Sequence, residues 1–283
     1  EDELGQGPPI STALSTRPVD APVRGHYRRH ALRGGNAYLL GRLAANAAWL
    51  NAEASAAQLA DAARATEVFL GRAARLEIAG GREALAVTVV NETGHKLPTG
   101  YPSRRMWLHV VAADAGGAVV FESGRFDARS GALLDRAGRR LDGPGAILPH
   151  RTAIDSPDHP IVWESVPVDA QGQRTHLLLG TAAIAKDNRI LPAGWRADHA
   201  DARRTRAIGV ADDPDFAPGR DTVTFRLPAS ARTVQAALLY QPIPPETIES
   251  YGPRDGPEAA RFRRITEEPP RPHVLARATH ALR

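Results

Sequence analysis

The sequence contains no cysteine among its 283 residues. This absence excludes structural disulfides, thiolate zinc sites and iron–sulfur clusters. It also excludes covalent attachment of haem to this chain, because that attachment requires Cys-x-x-Cys-His. It does not fix the cellular compartment, since a large exported domain does not need disulfides.

Lysine is almost absent, because Lys96 and Lys186 are the only two and every other basic side chain is an arginine. The net charge is +4, and a basic chain raises the question of nucleic-acid binding. The arginines are spread along the chain, however, and no recognition motif is present. We attribute the arginine bias to a GC-rich genome and predict no nucleic-acid partner.

Long apolar runs are also missing, and no run approaches the ~18 residues needed to span a membrane. The nucleophile elbow, the zinc helix, the phosphate loop and the dinucleotide fingerprint are absent. Glu122 and Glu164 are candidates for an acid/base pair, but nothing fixes their separation. The enzyme question stays open, and the sequence favours a chain that is not an enzyme by itself. Because Glu1 begins the chain without a leader, we expect a mature, processed or truncated product.

The first part of the chain reads as an extended leader followed by two helices. Residues 1–35 form the leader, which ends in a basic segment, and residues 36–73 form a helical hairpin. Asn36 and Ser55 are the predicted N-caps of helices over 37–51 and 56–71, since both helices carry apolar residues at helical spacing.

From residue 74 the pattern changes to short apolar runs separated by turn residues. Such strands without intervening helices predict an antiparallel β-sandwich over 74–245, Ig-like or jelly-roll-like with long loops. Residues 246–283 read as a proline-rich tail with one short helix near 258–265. The chain is therefore predicted to be mainly β. The expected strands are 75–78, 84–90, 106–113, 118–123, 162–168, 176–184, 222–227 and 233–240.

One polar stretch lies between two predicted strands and holds most of the chemically versatile side chains. It reads Asn-Glu-Thr-Gly-His-Lys-Leu-Pro-Thr-Gly-Tyr-Pro-Ser-Arg-Arg-Met-Trp-Leu-His-Val over residues 91–110. Its glycines and prolines rule out a helix or a central strand over the first part. Since such loops commonly carry function, we expect a site here.

This block resembles the C-terminal, haem-free region of certain bacterial multihaem c-type cytochromes. Further segments follow in the order shown by that family, and Arg29-His30 and Gly34-Gly35-Asn36 match the part after its last haem-attachment motif. The resemblance covers roughly residues 24–245. The further segments are Phe121-Glu122-Ser123-Gly124, Pro149-His150, 186–192 and Leu239-Tyr240-Gln241.

The resemblance implies a haem-free domain of, or a subunit partner to, a multihaem cytochrome in extracytoplasmic electron transfer. Haem c would then lie in a missing N-terminal region or in a partner chain, and none would be bound covalently by this chain. A haem-bearing module would be the partner, an oligomer or filament is possible, and the location would be periplasmic or extracellular.

Two histidines in the basic segment, His26 and His30, are candidates for distal haem ligands because they lie next to where haems would be. Neighbouring arginines suit haem propionates, which are carboxylates that match a guanidinium fork. The alternative is an exposed basic linker. The arginine candidates for such anion contacts are Arg28, Arg29, Arg33, Arg104 and Arg105.

The loop itself offers a second candidate site. His95, Lys96 and Tyr101 could line a polar pocket beside Arg104 and Arg105, although a purely structural loop is the stronger interpretation. His109 lies within a strand, on the face that also carries Arg105 and Trp107. With His95 and His150 it forms a less favoured copper or zinc hypothesis. The 186–189 stretch reads as a turn with local Asp–Arg pairing.

Two other functions remain open. The chain could be a stand-alone β-sandwich that binds carbohydrate or protein, which exposed Trp107, Trp163 and Trp195 on one face would favour. It could instead be a metalloenzyme domain built on His95, His109 and His150.

Overall fold

A computed structural model of the chain describes residues 33–251 and 255–282, together with the backbone of two short paired strands, β1 (Ile10–Ser11) and β2 (Val23–Arg24). His26, His30, Arg28 and Arg29 lie outside the described residues. Among the described residues, none of the helices combines the length and the apolar character needed to cross a bilayer.

The helical segment begins where its caps predict. The Asn36 side chain accepts a hydrogen bond from the Leu39 amide at the start of α1 (Ala37–Ala45), which is followed by the short α2 (Ala47–Leu50). Ser55 and Gln58 form a reciprocal capping box at the start of α3 (Ala56–Leu70). These caps satisfy amides that have no partner within a helix. α1 packs against α3.

The rest of the chain is built mainly from two sheets. One has four strands in the order β3-β4-β10-β7, and the other has six in the order β12-β11-β5-β8-β9, with β6 also paired to β5. The pairings are antiparallel apart from a short parallel contact between β10 and β7. The strands are β3 (Ala74–Gly81), β4 (Ala84–Asn91), β5 (Arg105–Ala113), β6 (Val119–Ser123), β7 (Ala153–Ile154), β8 (Val162–Val168), β9 (Ala183–Asp187), β10 (Arg220–Phe225), β11 (Thr233–Gln241) and β12 (His273–Ala281).

The main core lies between the two sheets. Val87 of β4, Phe225 of β10, Leu108 of β5 and Leu238 of β11 belong to one buried cluster. Because successive strand residues point to opposite faces, Trp107 instead packs on the other side of the six-stranded sheet. The fold confirms the prediction of a mainly β chain with an antiparallel sandwich and helices near its N-terminus.

That other side of the six-stranded sheet is covered by the long segment between β6 and β7. Trp107 and Leu133 form a second buried cluster with Val162 and Leu239, and Phe126 and Leu141 are packed against it. The irregular segment thus serves as a cover for the sheet, which explains how an arginine and a tryptophan on an outer strand face are both buried.

Two expectations are wrong. The segment predicted to be a tail, residues 246–283, contains β12. This strand pairs with β11 along almost its whole length and therefore belongs to the sheet. The tail also carries α5 (Pro245–Tyr251) and the predicted short helix, α6 (Pro257–Ile265). The strand expected over 176–184 is instead an exposed loop with a short 3-10 turn, Leu178–Gly180, and β9 starts only at Ala183. Its leucines mimic a buried strand in sequence, but they face solvent.

Candidate functional site

Asn91, at the end of β4, fixes the loop that opens the 91–110 block. Its amide nitrogen lies 2.7 Å from the His95 carbonyl, 3.0 Å from that of Ile190 and 3.2 Å from that of Leu191. Its side-chain oxygen accepts from the Thr93 amide at 2.9 Å. The His95 ring is exposed, and only its backbone takes part in these bonds. Asn91 therefore gives the loop its shape, while the side chain of His95 is exposed to solvent.

Lys96 pairs with Asp187 at 2.7 Å, and Arg189 contacts the other oxygen of Asp187 at 2.7 Å. Burial alone would raise the pKa of Asp187, but these two cations hold that pKa below its ordinary value. The same burial lowers the pKa of Lys96. The Asp–Arg pairing predicted within 186–189 is confirmed, although Lys186 and Asp187 belong to β9 and not to a turn. Lys96 forms a structural ion pair between the loop and the end of that strand.

Arg105 is buried against groups of its own chain, which corrects the expectation that it contacts an anion such as a haem propionate. Its side chain is 2% exposed and contacts Asp142 at 2.6 Å. The remaining nitrogens donate to the Gln241 side chain at 2.9 and 3.1 Å and to the Gly131 carbonyl at 2.9 Å. A guanidinium with these partners is a cross-link within the fold.

Arg104 lies at the junction between the block and the first described residues. It donates to the Gly34 carbonyl at 2.7 Å and to the Thr99 carbonyl at 3.0 Å. The Tyr240 hydroxyl donates to the Gly35 carbonyl at 2.9 Å. Arg33, just before these glycines, is half-buried. The block thus holds the point at which the basic segment joins the helical hairpin.

A buried charge network lies beneath α5. Glu164 of β8 contacts Lys186 at 3.2 Å and Arg174 at 3.0 Å, and Arg174 also pairs with Glu246. Burial raises the pKa of Glu246 to about 7, although Arg174 opposes the shift. Neither carboxylate oxygen of Glu246 has a hydrogen bond of good geometry. Glu246 is the one acid of this network whose charge changes near neutral pH.

His150 belongs to a second buried group, with Asp213 and Asp221. Its Nε2 lies 2.6 Å from an Asp213 oxygen and 4.0 Å from Asp221. The Trp163 indole donates to Asp221 at 2.6 Å, and burial raises the pKa of Asp221 well above its ordinary value. Within the described residues these three side chains form the only group with the geometry to hold a metal ion.

The hydrogen bonds around His150 determine which ring nitrogen carries the proton. Asn188 accepts from the Glu164 amide at 3.0 Å and donates to the Val162 carbonyl at 2.9 Å, so its orientation is fixed. Its amide nitrogen therefore donates to His150 Nδ1 at 3.0 Å, and the ring proton is on Nε2, facing Asp213. Since a metal ligand needs a free ring nitrogen, both nitrogens of His150 are already used.

The remaining histidine and tryptophan candidates are dispersed. His109 pairs with Glu122 at 2.9 Å and contacts the Phe126 ring edge-on, so the described residues do not gather His95, His109 and His150 into one site. Trp107 and Trp163 are both fully buried. They cannot form the exposed aromatic face that a carbohydrate-binding module would use.

One cavity, with a volume of about 500 Å³, has a mainly apolar lining. It lies between the start of α1, the block and helices α5 and α6. Tyr101 and Arg104 of the block both line it. Its other lining residues are Asn36, Leu39, Ser103, Pro242, Ile243, Thr247, Tyr251, Asp255, Glu258, Ala259 and Phe262.

Sequence reasoning missed the acidic partners of these sites. Asp142, Asp213 and Asp221 come from loops and strands far along the chain from Arg105 and His150, and no short spacing connects them. Glu246 follows a run of prolines that predicted only a tail. The alternation along β5 did predict that Arg105, Trp107 and His109 share a face.

No family model and no curated protein matches the chain. Among solved structures, a penta-heme cytochrome c552 from Thermochromatium tepidum matches with a TM-score of 0.42 and 17% identity. The match covers 76% of this chain and 41% of that cytochrome, so the chain spans about two fifths of its length. The structural similarity to this multihaem cytochrome is distant.

Proposed function

We propose that the chain is the haem-free domain of, or a subunit partner to, a multihaem c-type cytochrome that works in extracytoplasmic electron transfer. The proposal rests on the sequence resemblance together with one observation. The segments that carry the resemblance are far apart in sequence, yet they contact one another around β5.

Each of these segments that lies within the described residues contacts another. Asn91 bonds the backbone of residues 190 and 191, and Asn188 bonds His150. β6 pairs with β5, and β11 pairs with β5 along its whole length, bringing Gln241 beside Arg105. These contacts hold the described segments together in one domain, so the resemblance concerns that domain as a unit.

The described residues do not fit a haem c group held by this chain. No cysteine is available to attach it, and both ring nitrogens of the buried His150 are engaged. The haem of this proposal consequently belongs to a partner module. His26 and His30 remain the proposed distal ligands, and Arg28, Arg29 and Arg33 the proposed propionate contacts. Arg104 would act there only indirectly, by holding Gly34.

The role is that of a structural and docking component with no reaction of its own. A periplasmic or extracellular location accompanies it, since c-type haem is implied by the resemblance to lie in the same assembly. No electron-transfer step is assigned to residues of this chain.

Purification of the chain from its native source under mild conditions tests the proposal. We expect a Soret band that co-elutes with the chain, carried either by a polypeptide much heavier than 30.3 kDa or by a second haem-staining chain. A colourless 30.3 kDa protein without a haem-staining partner would refute the proposal.

Site-directed variants in that material test the ligand assignment. Replacing His26 or His30 by Ala should shift the haem absorption or the reduction potential if either ring is an axial ligand. His199→Ala is the matched control because His199 lies on an exposed turn. Spectra unchanged in both variants would remove the ligand role while leaving the docking role intact.

A further inference from the structure

Three consecutive leucines project from the loop between β8 and β9. Leu177 is 39% exposed, Leu178 is 55% exposed and Leu179 is fully exposed at 105%. Single exposed apolar residues are ordinary, but a contiguous apolar projection marks a contact surface.

The loop is held directly beside the apolar pocket. The hydroxyls of Tyr101 and Tyr251 both donate to the His176 carbonyl, at 3.2 and 2.6 Å. Both tyrosines line the pocket, and Thr247, another lining residue, lies 3.3 Å from the His176 ring. The projection therefore begins at Leu177, directly after the residue that the pocket wall contacts. The block holds this residue through Tyr101, and α5 holds it through Tyr251.

The pocket suits apolar side chains. Leu39, Ile243 and Phe262 line it, and its volume of about 500 Å³ lies in the range that accommodates drug-sized ligands. The tyrosine hydroxyls donate to the backbone, and the Ser103 hydroxyl donates to the Pro242 carbonyl at 2.9 Å. These three hydroxyls are thus already paired, and the surface that they leave in the pocket is mainly apolar.

Charged residues of both signs line the same pocket. Arg104 lies on the side of the block, and the exposed Asp255 and Glu258 lie at the start of α6. Because the apolar projection lies beside the apolar pocket, and charges of both signs line that pocket, a two-fold axis that passes between the two features can place each of them opposite its counterpart on a second copy.

We propose that this face pairs with the same face of a second copy of the chain in a closed two-fold dimer. Leu178 and Leu179 of each copy enter the pocket of the other, and Arg104 of each faces the other's acidic rim. Tyrosine and arginine, which both line the pocket, are enriched among the residues that contribute most to binding at protein interfaces. The inference goes beyond the proposed function and does not depend on a haem partner.

Sedimentation equilibrium of the full chain tests the dimer. We expect a mass near twice 30.3 kDa for the wild type. Leu179→Asp should weaken association at least tenfold, since it places a charge in an apolar pocket. Val119→Asp is the matched control, because Val119 is 60% exposed on β6, and it should leave the dimer intact.

A second variant probes the pocket side. Ala259→Trp fills the pocket and should also prevent pairing, while circular dichroism checks that both variants are folded. An equimolar mixture of Leu179→Asp and Ala259→Trp should dimerise with intermediate affinity, since one loop and one pocket remain compatible. The proposal would be overturned by a monomeric wild type or by a Leu179→Asp variant that dimerises as tightly as the wild type. It would also be overturned by a mixture that stays monomeric, or by assemblies larger than a dimer whose mass keeps rising with concentration.

Discussion

Arg105 and Asp142 form a buried ion pair of 2.6 Å across 37 residues of sequence, with side chains 2% and 3% exposed. Arg140 contacts the other oxygen of Asp142 at 2.9 Å. Burial alone would raise the pKa of Asp142, but the Arg105 guanidinium holds it below its ordinary value. The pair ties β5 to the segment that covers its outer face.

Asp142→Asn should destabilise the protein by about 3–5 kcal/mol, because it leaves a buried guanidinium without its counter-charge. Asp158→Asn is the control, since Asp158 pairs with Arg136 at 2.8 Å in an exposed setting, and its expected cost is about 0–1 kcal/mol. Urea unfolding of both variants measures the difference. Equal costs would show that the buried pair has no special role.

Local features of this fold were readable from sequence, and long-range ones were not. Asn36 and Ser55 cap helices through residues three positions away, so a short window contains the whole signal. The alternation in β5 likewise placed Arg105 and Trp107 on one face. The partner of Arg105, however, depends on how the irregular segment between β6 and β7 folds over the sheet, and no local pattern encodes that path.

The two errors have the same origin. Leu177, Leu178 and Leu179 have the composition of a buried strand, and only the tertiary arrangement shows that they project into solvent. The prolines at 269, 270 and 272 precede β12 and led to the prediction of a tail at this position. The segment is a strand because it pairs with β11, which is distant in sequence. The acidic partners of His150 were missed because they come from separate loops.

Gly124→Ala should be strongly destabilising. Gly124 has a φ of +72°, and an added Cβ would clash with the Leu108 carbonyl oxygen, just beyond the paired residues of β5 and β6. Gly138→Ala is a matched control with a φ of +78° and open space around it. The control should cost about 1–2 kcal/mol for the left-handed backbone, and Gly124→Ala a further 1–3 kcal/mol for the clash. Chemical denaturation at constant pH compares them.

Glu246→Gln should change the pH dependence of stability. The folded pKa of Glu246 is about 7, against 4.5 for the ordinary group, so between these values the folded protein holds a proton that the unfolded chain has lost. Its contribution to stability therefore falls as pH rises from 4.5 to 7. The variant lacks this contribution from the Glu246 carboxyl. Its free energy of unfolding, relative to that of the wild type, should therefore increase as the pH rises from 4.5 to 7.

His176→Gln should show the opposite trend and provides the comparison. Burial lowers the pKa of His176 to about 4, against an ordinary value of 6.5. Stability from this group is lost as pH falls from 6.5 to 4, because the unfolded chain takes up the proton first. The free energy of unfolding of the variant, relative to that of the wild type, should therefore increase as the pH falls from 6.5 to 4. If both variants followed the same trend relative to the wild type, the assignment that predicts the other trend would be wrong, and profiles parallel to that of the wild type would contradict both.

Asn188→Asp should raise the pKa of His150. In the wild type the oriented Asn188 amide donates to Nδ1, and burial lowers the pKa of the ring. A carboxylate at position 188 can accept a hydrogen bond from a protonated Nδ1 while Asp213 accepts one from the Nε2 N–H, so the doubly protonated ring becomes favoured. Nitrogen-15 NMR titration should show a proton on Nε2 alone in the wild type and a higher midpoint in the variant. A wild-type ring protonated on Nδ1 would contradict the assignment and make Nε2 free to bind a metal.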